Sequence, residues 1–358
     1  MEPLKIDKEN LKDILQVISK DYKTFCPQKT DKGFRDWRII NRDTEFDSEF
    51  FSYFDEVTLP KSSIKPFFFP QPETLLTFNY DPKAEDAFLP KQCLDKEPDK
   101  IDTVLFGVRP CDARSLILND MPFKDDPYYN IRRKKIFLIG ISCTKQSSTC
   151  FCLWTGGSPL GTDGLDIILH PLDDETGYVI EFISKRSEEL KDTIFPEKFC
   201  SKASQSELDE IAARKEKSKS ALKSMPNLAE QLKQKELMAV YNAPFWQDVA
   251  MSCINCGACT FLCPTCYCFD IQDEVVKKRG RRIRYWDSCM FPLFTQHASG
   301  HNPRGDKVKR VRNRFLHKFK YFPDRFGPVS CVGCGRCIKE CPVNIDIREV
   351  IRNLLAVK

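Results

Sequence analysis

The chain has 358 residues, 41% of them hydrophobic and 30% charged, with a formal charge of +5. That composition excludes a disordered chain and leaves room for about two domains, each with its own core. No apolar run approaches the roughly 18 residues that cross a bilayer, so no transmembrane segment is expected.

Taken in chain order, the start from Met1 to Asn10 is polar and mixed in charge, without the apolar core of a secretory leader. Eighteen cysteines with no secretory address point to a reducing cytoplasm and to metal rather than disulfides. Leu11, Ile14, Leu15 and Ile18 fall at helical spacing. Lys65-Pro66-Phe67-Phe68-Phe69-Pro70 excludes a long helix, because proline removes a donor and restricts its neighbour; its expected role is packing at a sheet edge, with no function assigned. Ile101 to Val108 and Ile136 to Ser142 read as buried strands, with a helix from Cys111 to Asn119 between them. Continuous apolar runs separated by a helix predict a parallel βαβ unit covered on both faces. Leu165 to Leu169 and Tyr178 to Ile183 add two short strands, and the charged stretch from about 204 to 240 reads as helix.

The expected architecture is therefore α/β to α+β. An α/β domain spans 1–203, a helical linker 204–245, and a C-terminal domain 246–358.

The C-terminal domain carries the strongest motif. Cys253-Ile-Asn-Cys256-Gly-Ala-Cys259-Thr-Phe-Leu-Cys263-Pro264 has the form C-x2-C-x2-C-x3-C-P, and Cys331-Val-Gly-Cys334-Gly-Arg-Cys337-Ile-Lys-Glu-Cys341-Pro342 repeats it. Three cysteines two residues apart can wrap one iron–sulfur cube, with Gly257, Gly333 and Gly335 supplying backbone conformations that side chains resist. The fourth cysteine, before its proline, ligates the other cube in two-cluster ferredoxins. The expected cofactors are thus two [4Fe–4S] clusters: one on Cys253, Cys256, Cys259 and Cys341, the other on Cys331, Cys334, Cys337 and Cys263. Zinc sites use C-x2-C pairs but close with four ligands and need no interleaved tetrads. Cys259-x3-Cys263-x2-Cys266 also spells the triplet of radical enzymes, but its first two cysteines are already committed. Each cluster with four thiolates carries about −2 when oxidised, so two would bring the chain to about +1.

An insert, 264–330, separates the tetrads. It holds Cys266, Cys268 and Cys289, Trp286, and basic runs at 277–284 and 307–314. No nucleic-acid recognition motif accompanies them, and the better reading is compensation of anionic clusters or docking of an acidic partner. A solvated surface is the plain alternative.

A second group, Cys111, Cys143, Cys150 and Cys152, follows the ends of the two predicted strands. Strand C-termini of an open parallel sheet line a crevice where ligands sit, and four thiols match the count for a third [4Fe–4S] cluster. Zinc or four free buried thiols fit the same spacing. Cys266, Cys268 and Cys289 are alternative ligands for a third site. Cys26, Cys93 and Cys200 are isolated and read as structural.

Together, Gly107-Val-Arg-Pro-Cys111-Asp112, the loop Cys143 to Cys152, Cys263-Pro-Thr-Cys266-Tyr-Cys268, Trp286-Asp-Ser-Cys289-Met290, His317-Lys318 and the second tetrad resemble one family over about 100–345. It is the iron–sulfur subunit family that serves anaerobic sulfite reductase and, as the beta subunit, sulfhydrogenase-type hydrogenases; it is found also with flavin oxidoreductases of heterodisulfide reductases. The resemblance implies an electron-transfer subunit between a flavin-containing, NAD(P)H-linked subunit and a catalytic or further iron–sulfur subunit. It also implies that both extra cysteine groups are family features.

No G-x-G-x-x-G fingerprint marks a dinucleotide site of the chain's own, and His170, His297, His301 and His317 are scattered. No cofactor beyond clusters and no catalytic residue is expected. The alternative is a metal-dependent enzyme with an active site in the 100–200 crevice, built on Arg109 and Asp112.

Overall fold

The computed structural model describes residues 3–41, 44–46, 50–51, 54, 59–94, 100–224 and 227–358. Twelve strands are named here in chain order: β1 (Leu4–Asp7), β2 (Lys23–Lys29), β3 (Arg35–Ile39), β4 (Glu73–Asn79), β5 (Lys91–Gln92), β6 (Thr103–Val108), β7 (Ile136–Ile141), β8 (Ile167–Pro171), β9 (Gly177–Phe182), β10 (Cys200–Lys202), β11 (Phe269–Val276) and β12 (Arg279–Trp286). Eight form one mixed sheet in the order β10-β1-β9-β8-β7-β6-β2-β3, and four form a second in the order β11-β12-β4-β5.

The centre of the large sheet is parallel: β2 beside β6, β6 beside β7, β7 beside β8. Every residue of β7 is buried, as a strand covered on both faces requires. Its side chains alternate between two cores. Phe137, Ile139 and Ile141 join the face closed by Leu11, Ile14, Leu15 and Ile18 of helix Leu11–Asp21. Ile136 and Leu138 join the opposite face with Phe68, Ala113 and Leu116. Each fully buried Leu, Ile or Phe is worth about 1.5–3 kcal/mol, so these two layers hold the sheet rigid under the crevice at its strand ends. The β6–β7 ladder shifts register between Phe106 and Val108, where Gly107 has φ +85°. Such a bulge re-aims a strand end, here just before Cys111.

The expected βαβ unit is present, with helix Pro110–Asp120 between β6 and β7. The charged stretch is less continuous than its composition suggests. Helix Gln205–Ser224 is followed by short helices Leu228–Lys233 and Leu237–Asn242, while 225 and 226 lie outside the described residues. Gln234-Lys235 breaks it because the chain turns to bury Leu228, Leu232 and Val240 in the C-terminal core with Trp246, Phe315 and Ile351.

The insert does not stand apart as a separate module. Its β11–β12 hairpin pairs through β12 with β4 of the N-terminal region, and Arg284 of β12 binds Glu73 and Asp126 across that junction. Its second basic run forms helix Lys307–Leu316, continued by a π-helical turn, His317–Tyr321.

Candidate metal centres

The sequence repeat is repeated in the backbone. In the first tetrad Asn255 (φ +56°) and Gly257 (φ +75°) are left-handed; in the second, Gly333 (φ +64°) and Gly335 (φ +76°) occupy the same places. Each glycine at 257 and 335 opens a four-residue helix, Ala258–Phe261 or Arg336–Lys339, and the two helices pack together. Asparagine tolerates the left-handed region, and Asn255 also accepts a hydrogen bond from Cys253 Sγ at 3.3 Å. At Gly333 a Cβ would meet the Phe151 carbonyl and the Cys152 nitrogen at 2.5 Å.

Cys341 lines one cavity with Cys253, Cys256 and Cys259, and Cys337 of the second tetrad borders the same cavity. Cys263 lies in electrostatic reach of Cys331, Cys334 and Cys337, and also of Cys259. Backbone N–H groups point at the sulfurs: Asn255 N to Cys253 Sγ at 3.4 Å, Gly333 N to Cys331 Sγ at 3.5 Å, Ile345 N to Cys341 Sγ at 3.2 Å. Among the described residues no three His, Cys, Asp or Glu side chains are placed to hold a single metal ion. The thiols of Cys253, Cys256, Cys259 and Cys341 stand around a cavity instead, the arrangement a polynuclear cluster takes.

Charge supports the same reading. Arg314 (5% exposed), Lys318 (2%) and Lys65 (4%) are buried, and none has a carboxylate partner among the described residues. The Arg314 Nε is buried without a hydrogen-bond partner, while its guanidinium faces Cys259, Cys337, Cys266 and Cys263. Lys318, on the π-helical turn, directs Nζ to Cys263 Sγ at 3.2 Å and to Thr265 Oγ1 at 3.0 Å. Burial works against its charge, but the Cys263, Cys266 and Cys331 thiols outweigh it and hold the ammonium well above its usual range. Buried cations require buried anions. Free thiols supply them only in part: burial pushes Cys334 up to about 12 against the pull of Arg336, whereas the hydrogen bond from Cys266 and the Lys318 ammonium draw Cys263 well below its ordinary value. Iron bound as thiolate supplies the rest, since a coordinating thiol gives up its proton outright.

The four strand-end cysteines also converge. Cys111, Cys143, Cys150 and Cys152 line one cavity, together with Arg109 and Cys334 of the second tetrad. Cys111 follows β6, and Cys143 follows β7 by two residues. The loop carrying Cys150 and Cys152 docks on the second tetrad, with Phe151 N donating to the Gly333 carbonyl at 2.8 Å. Asp112 and Arg109, on which the enzyme alternative rested, are both engaged. Asp112 is fully buried and accepts two hydrogen bonds from Arg336 at 2.6 and 2.7 Å. Arg109 donates to the Ser142 carbonyl at 3.3 Å.

Cys266, Cys268 and Cys289 form another group. Cys268 and Cys289 are within hydrogen-bonding reach of each other, with Cys266 beside both and also in reach of Cys263. Cys26 is buried in the sheet core, Cys93 is exposed, and Cys200 lies on the edge strand β10. The histidines are dispersed: His170 contacts Glu181, His317 contacts the Tyr267 hydroxyl, and His297 and His301 contact each other.

Residues 252–345 match the 4Fe-4S dicluster domain. Over 260 residues the chain is 34% identical to sulfhydrogenase 2 subunit beta of Pyrococcus furiosus, an alignment spanning 69% of this chain and 72% of the relative. The chain belongs to that iron–sulfur subunit family. It is an iron–sulfur electron-transfer subunit with [4Fe–4S] clusters in its C-terminal region, joined to a mixed α/β sheet. No helix among the described residues is long and apolar enough to cross a membrane.

Sequence reasoning missed Lys65. Its segment is a short helix, Lys65–Phe68, and its side chain reaches the Cys266 carbonyl at 3.2 Å across 201 residues. Only the odd placement of a lysine inside an apolar Phe-Pro run hinted at it.

Proposed function

We propose that the chain relays single electrons between a flavin-containing, NAD(P)H-linked subunit and a catalytic or further iron–sulfur subunit of a cytoplasmic, anaerobic oxidoreductase complex. In this reading Cys253, Cys256, Cys259 and Cys341 hold one [4Fe–4S] cluster, and Cys331, Cys334, Cys337 and Cys263 hold the second. A third cluster sits on Cys111, Cys143, Cys150 and Cys152. The observation that carries the reading is the burial of Arg314 and Lys318 against the thiols with no carboxylate partner among the described residues, and the cavity that Cys341 lines with Cys253, Cys256 and Cys259 supports the pairing of ligands. The clusters supply one-electron redox chemistry when bound. The chain's own residues hold them apart from water, direct N–H groups at their sulfurs and set their potentials through nearby charge. Cys334 faces the strand-end group, so the second cluster stands between the third and the first. The exposure of Cys256 beside Ile254 supports the first cluster as the one nearest a partner.

Anaerobic purification followed by iron and sulfide analysis tests this: about eight irons per chain means two cubes, about twelve means three. Cys150→Ala is expected to remove about four of those irons. Clusters that accept no electron from a reduced flavoprotein, followed by electron paramagnetic resonance, would remove the relay.

A further inference from the structure

Cys266, Cys268 and Cys289 belong to neither tetrad, nor to the strand-end group, yet the fold assembles them with care. Cys266 and Cys268 follow the first tetrad directly, and Cys289 returns to them at the base of the β11–β12 hairpin, where Asp287 N donates to the Cys268 carbonyl at 2.9 Å. The turn bearing Cys289 is pinned on three sides. Trp286 Nε1 donates to the Phe69 carbonyl at 2.9 Å, Trp286 N to Gln71 Oε1 at 2.9 Å, and Ser288 Oγ pairs with Thr260 Oγ1 at 2.8 Å. Cys289 is 5% exposed.

Lys65 closes the group from the N-terminal region. Its Nζ lies 3.8 Å from the centroid of the Trp286 ring and hydrogen-bonds the Thr260 and Cys266 carbonyls. Among the described residues no carboxylate pairs this lysine. Burial draws its ammonium down to about 8 against the pull of the Cys266, Cys263 and Cys268 thiols, and a buried ammonium without an anion costs several kcal/mol. Arg314 and Lys318 have their anions in the tetrads. The thiols nearest Lys65 are Cys266, Cys263 and Cys268, so a cluster on the tetrads alone leaves two of the three without purpose.

We infer that Cys266, Cys268 and Cys289 hold an additional iron–sulfur cluster, distinct from the strand-end centre and counter-charged by the buried Lys65. Three thiolates saturate a [3Fe–4S] cluster, or hold a [4Fe–4S] cluster with one iron left to a non-cysteine ligand. Because Cys266 adjoins Cys263, this centre would branch from the second cluster. The inference extends the relay reading but stands on its own cysteines.

Iron, sulfide and zinc analysis of the anaerobically purified full chain, with Mössbauer and electron paramagnetic resonance spectra, provides the test. The wild type is expected to hold about 15–16 irons, and Cys289→Ala to lose about three or four irons together with about four sulfides while keeping the spectra of the tetrads. Lys65→Met is expected to keep its iron and lower the midpoint potential of one component alone. That second variant, together with the wild-type count, decides the matter if Cys289→Ala misfolds. An oxidised-state signal marks the three-iron form, and its absence with four irons lost marks the four-iron form; both support the inference. Unchanged iron in Cys289→Ala, or one zinc per chain lost with it, overturns it. Iron lost from Cys150→Ala but not from Cys289→Ala sinks this centre and leaves the relay reading intact; the reverse sinks the strand-end assignment alone.

Discussion

Lys318 holds its Nζ 3.2 Å from the Sγ of Cys263, the last cysteine of the first tetrad motif and the proposed fourth ligand of the second cluster. The π-helical turn His317–Tyr321 places it there; the wider turn carries the lysine inward between Ser330 and Thr265. A cation beside a cluster favours its reduced, more negative state. Lys318→Met is expected to lower the midpoint potential of the second cluster by on the order of 100 mV, the scale of one charge at about 5 Å in an effective dielectric near 20. Lys318→Arg should retain most of the wild-type value. Redox titration under electron paramagnetic resonance reads both, and an unmoved potential in the Met variant would show that the ammonium does not act on that cluster.

Much of the molecule was legible because two kinds of pattern are local. The cysteine tetrads fix loop geometry within a dozen residues, and the apolar runs of β6 and β7 declare burial by their length alone. The helix Leu11–Asp21 was equally plain from four residues on one face. What joins distant segments was not legible. Nothing in Lys65-Pro66-Phe67 announces that the lysine ends among cysteines 201 residues away, and nothing in the 279–286 arginine run says that Arg284 is buried on Glu73 while Arg281 and Arg282 pair with Glu274 and Asp273 across their own hairpin. The strand-end group lay between these cases. Its placement at the ends of β6 and β7 followed from topology, but its convergence depended on the 144–152 loop folding back onto Gly333.

The Asp112–Arg336 pair is expected to carry much of the attachment between the sheet and the dicluster region. Arg336 donates to both oxygens of a fully buried carboxylate and also to the Pro60 carbonyl at 3.0 Å. Asp112→Leu or Arg336→Met strands the opposite charge, which should cost about 3–5 kcal/mol, whereas the double replacement Asp112→Leu with Arg336→Met should recover a large part of that loss. Anaerobic urea unfolding of the four proteins completes the cycle. Additive losses would mean that the two groups act independently.

Gly333→Ala should be far more damaging than Asn255→Ala, although the two positions are equivalent in the repeat. Both backbones are left-handed, but a Cβ at 333 would press on the Phe151 and Cys152 main chain at 2.5 Å. Neither neighbour can yield without moving the loop that carries Cys150 and Cys152. The expected result is a loss of roughly 1–3 kcal/mol at 333 against less than about 1 kcal/mol at 255. Thermal unfolding measures the stability difference. Iron analysis should show Gly333→Ala losing metal from the strand-end group before the tetrads. Equal effects at the two positions would mean that the docking contact contributes little.

Removal of iron should unfold the molecule unevenly. Arg314 and Lys318 of the C-terminal region, and Lys65 packed against it, would be left buried with no carboxylate partner among the described residues. Each uncompensated buried charge costs several kcal/mol, so the segments around 253–268 and 316–341 should open once a chelator has stripped the clusters, since metal binding and folding are there one equilibrium. The sheet has no such dependence. The cores on the two faces of β6 and β7 are apolar, and helix Leu11–Asp21 closes one of them without any cysteine of the proposed centres. Hydrogen exchange followed by mass spectrometry before and after chelation should therefore show lost protection in the cysteine loops and helix Lys307–Leu316, with β6, β7 and β8 unchanged. Protection lost to the same degree throughout would mean that the sheet depends on iron too, through the strand-end thiols at its crevice.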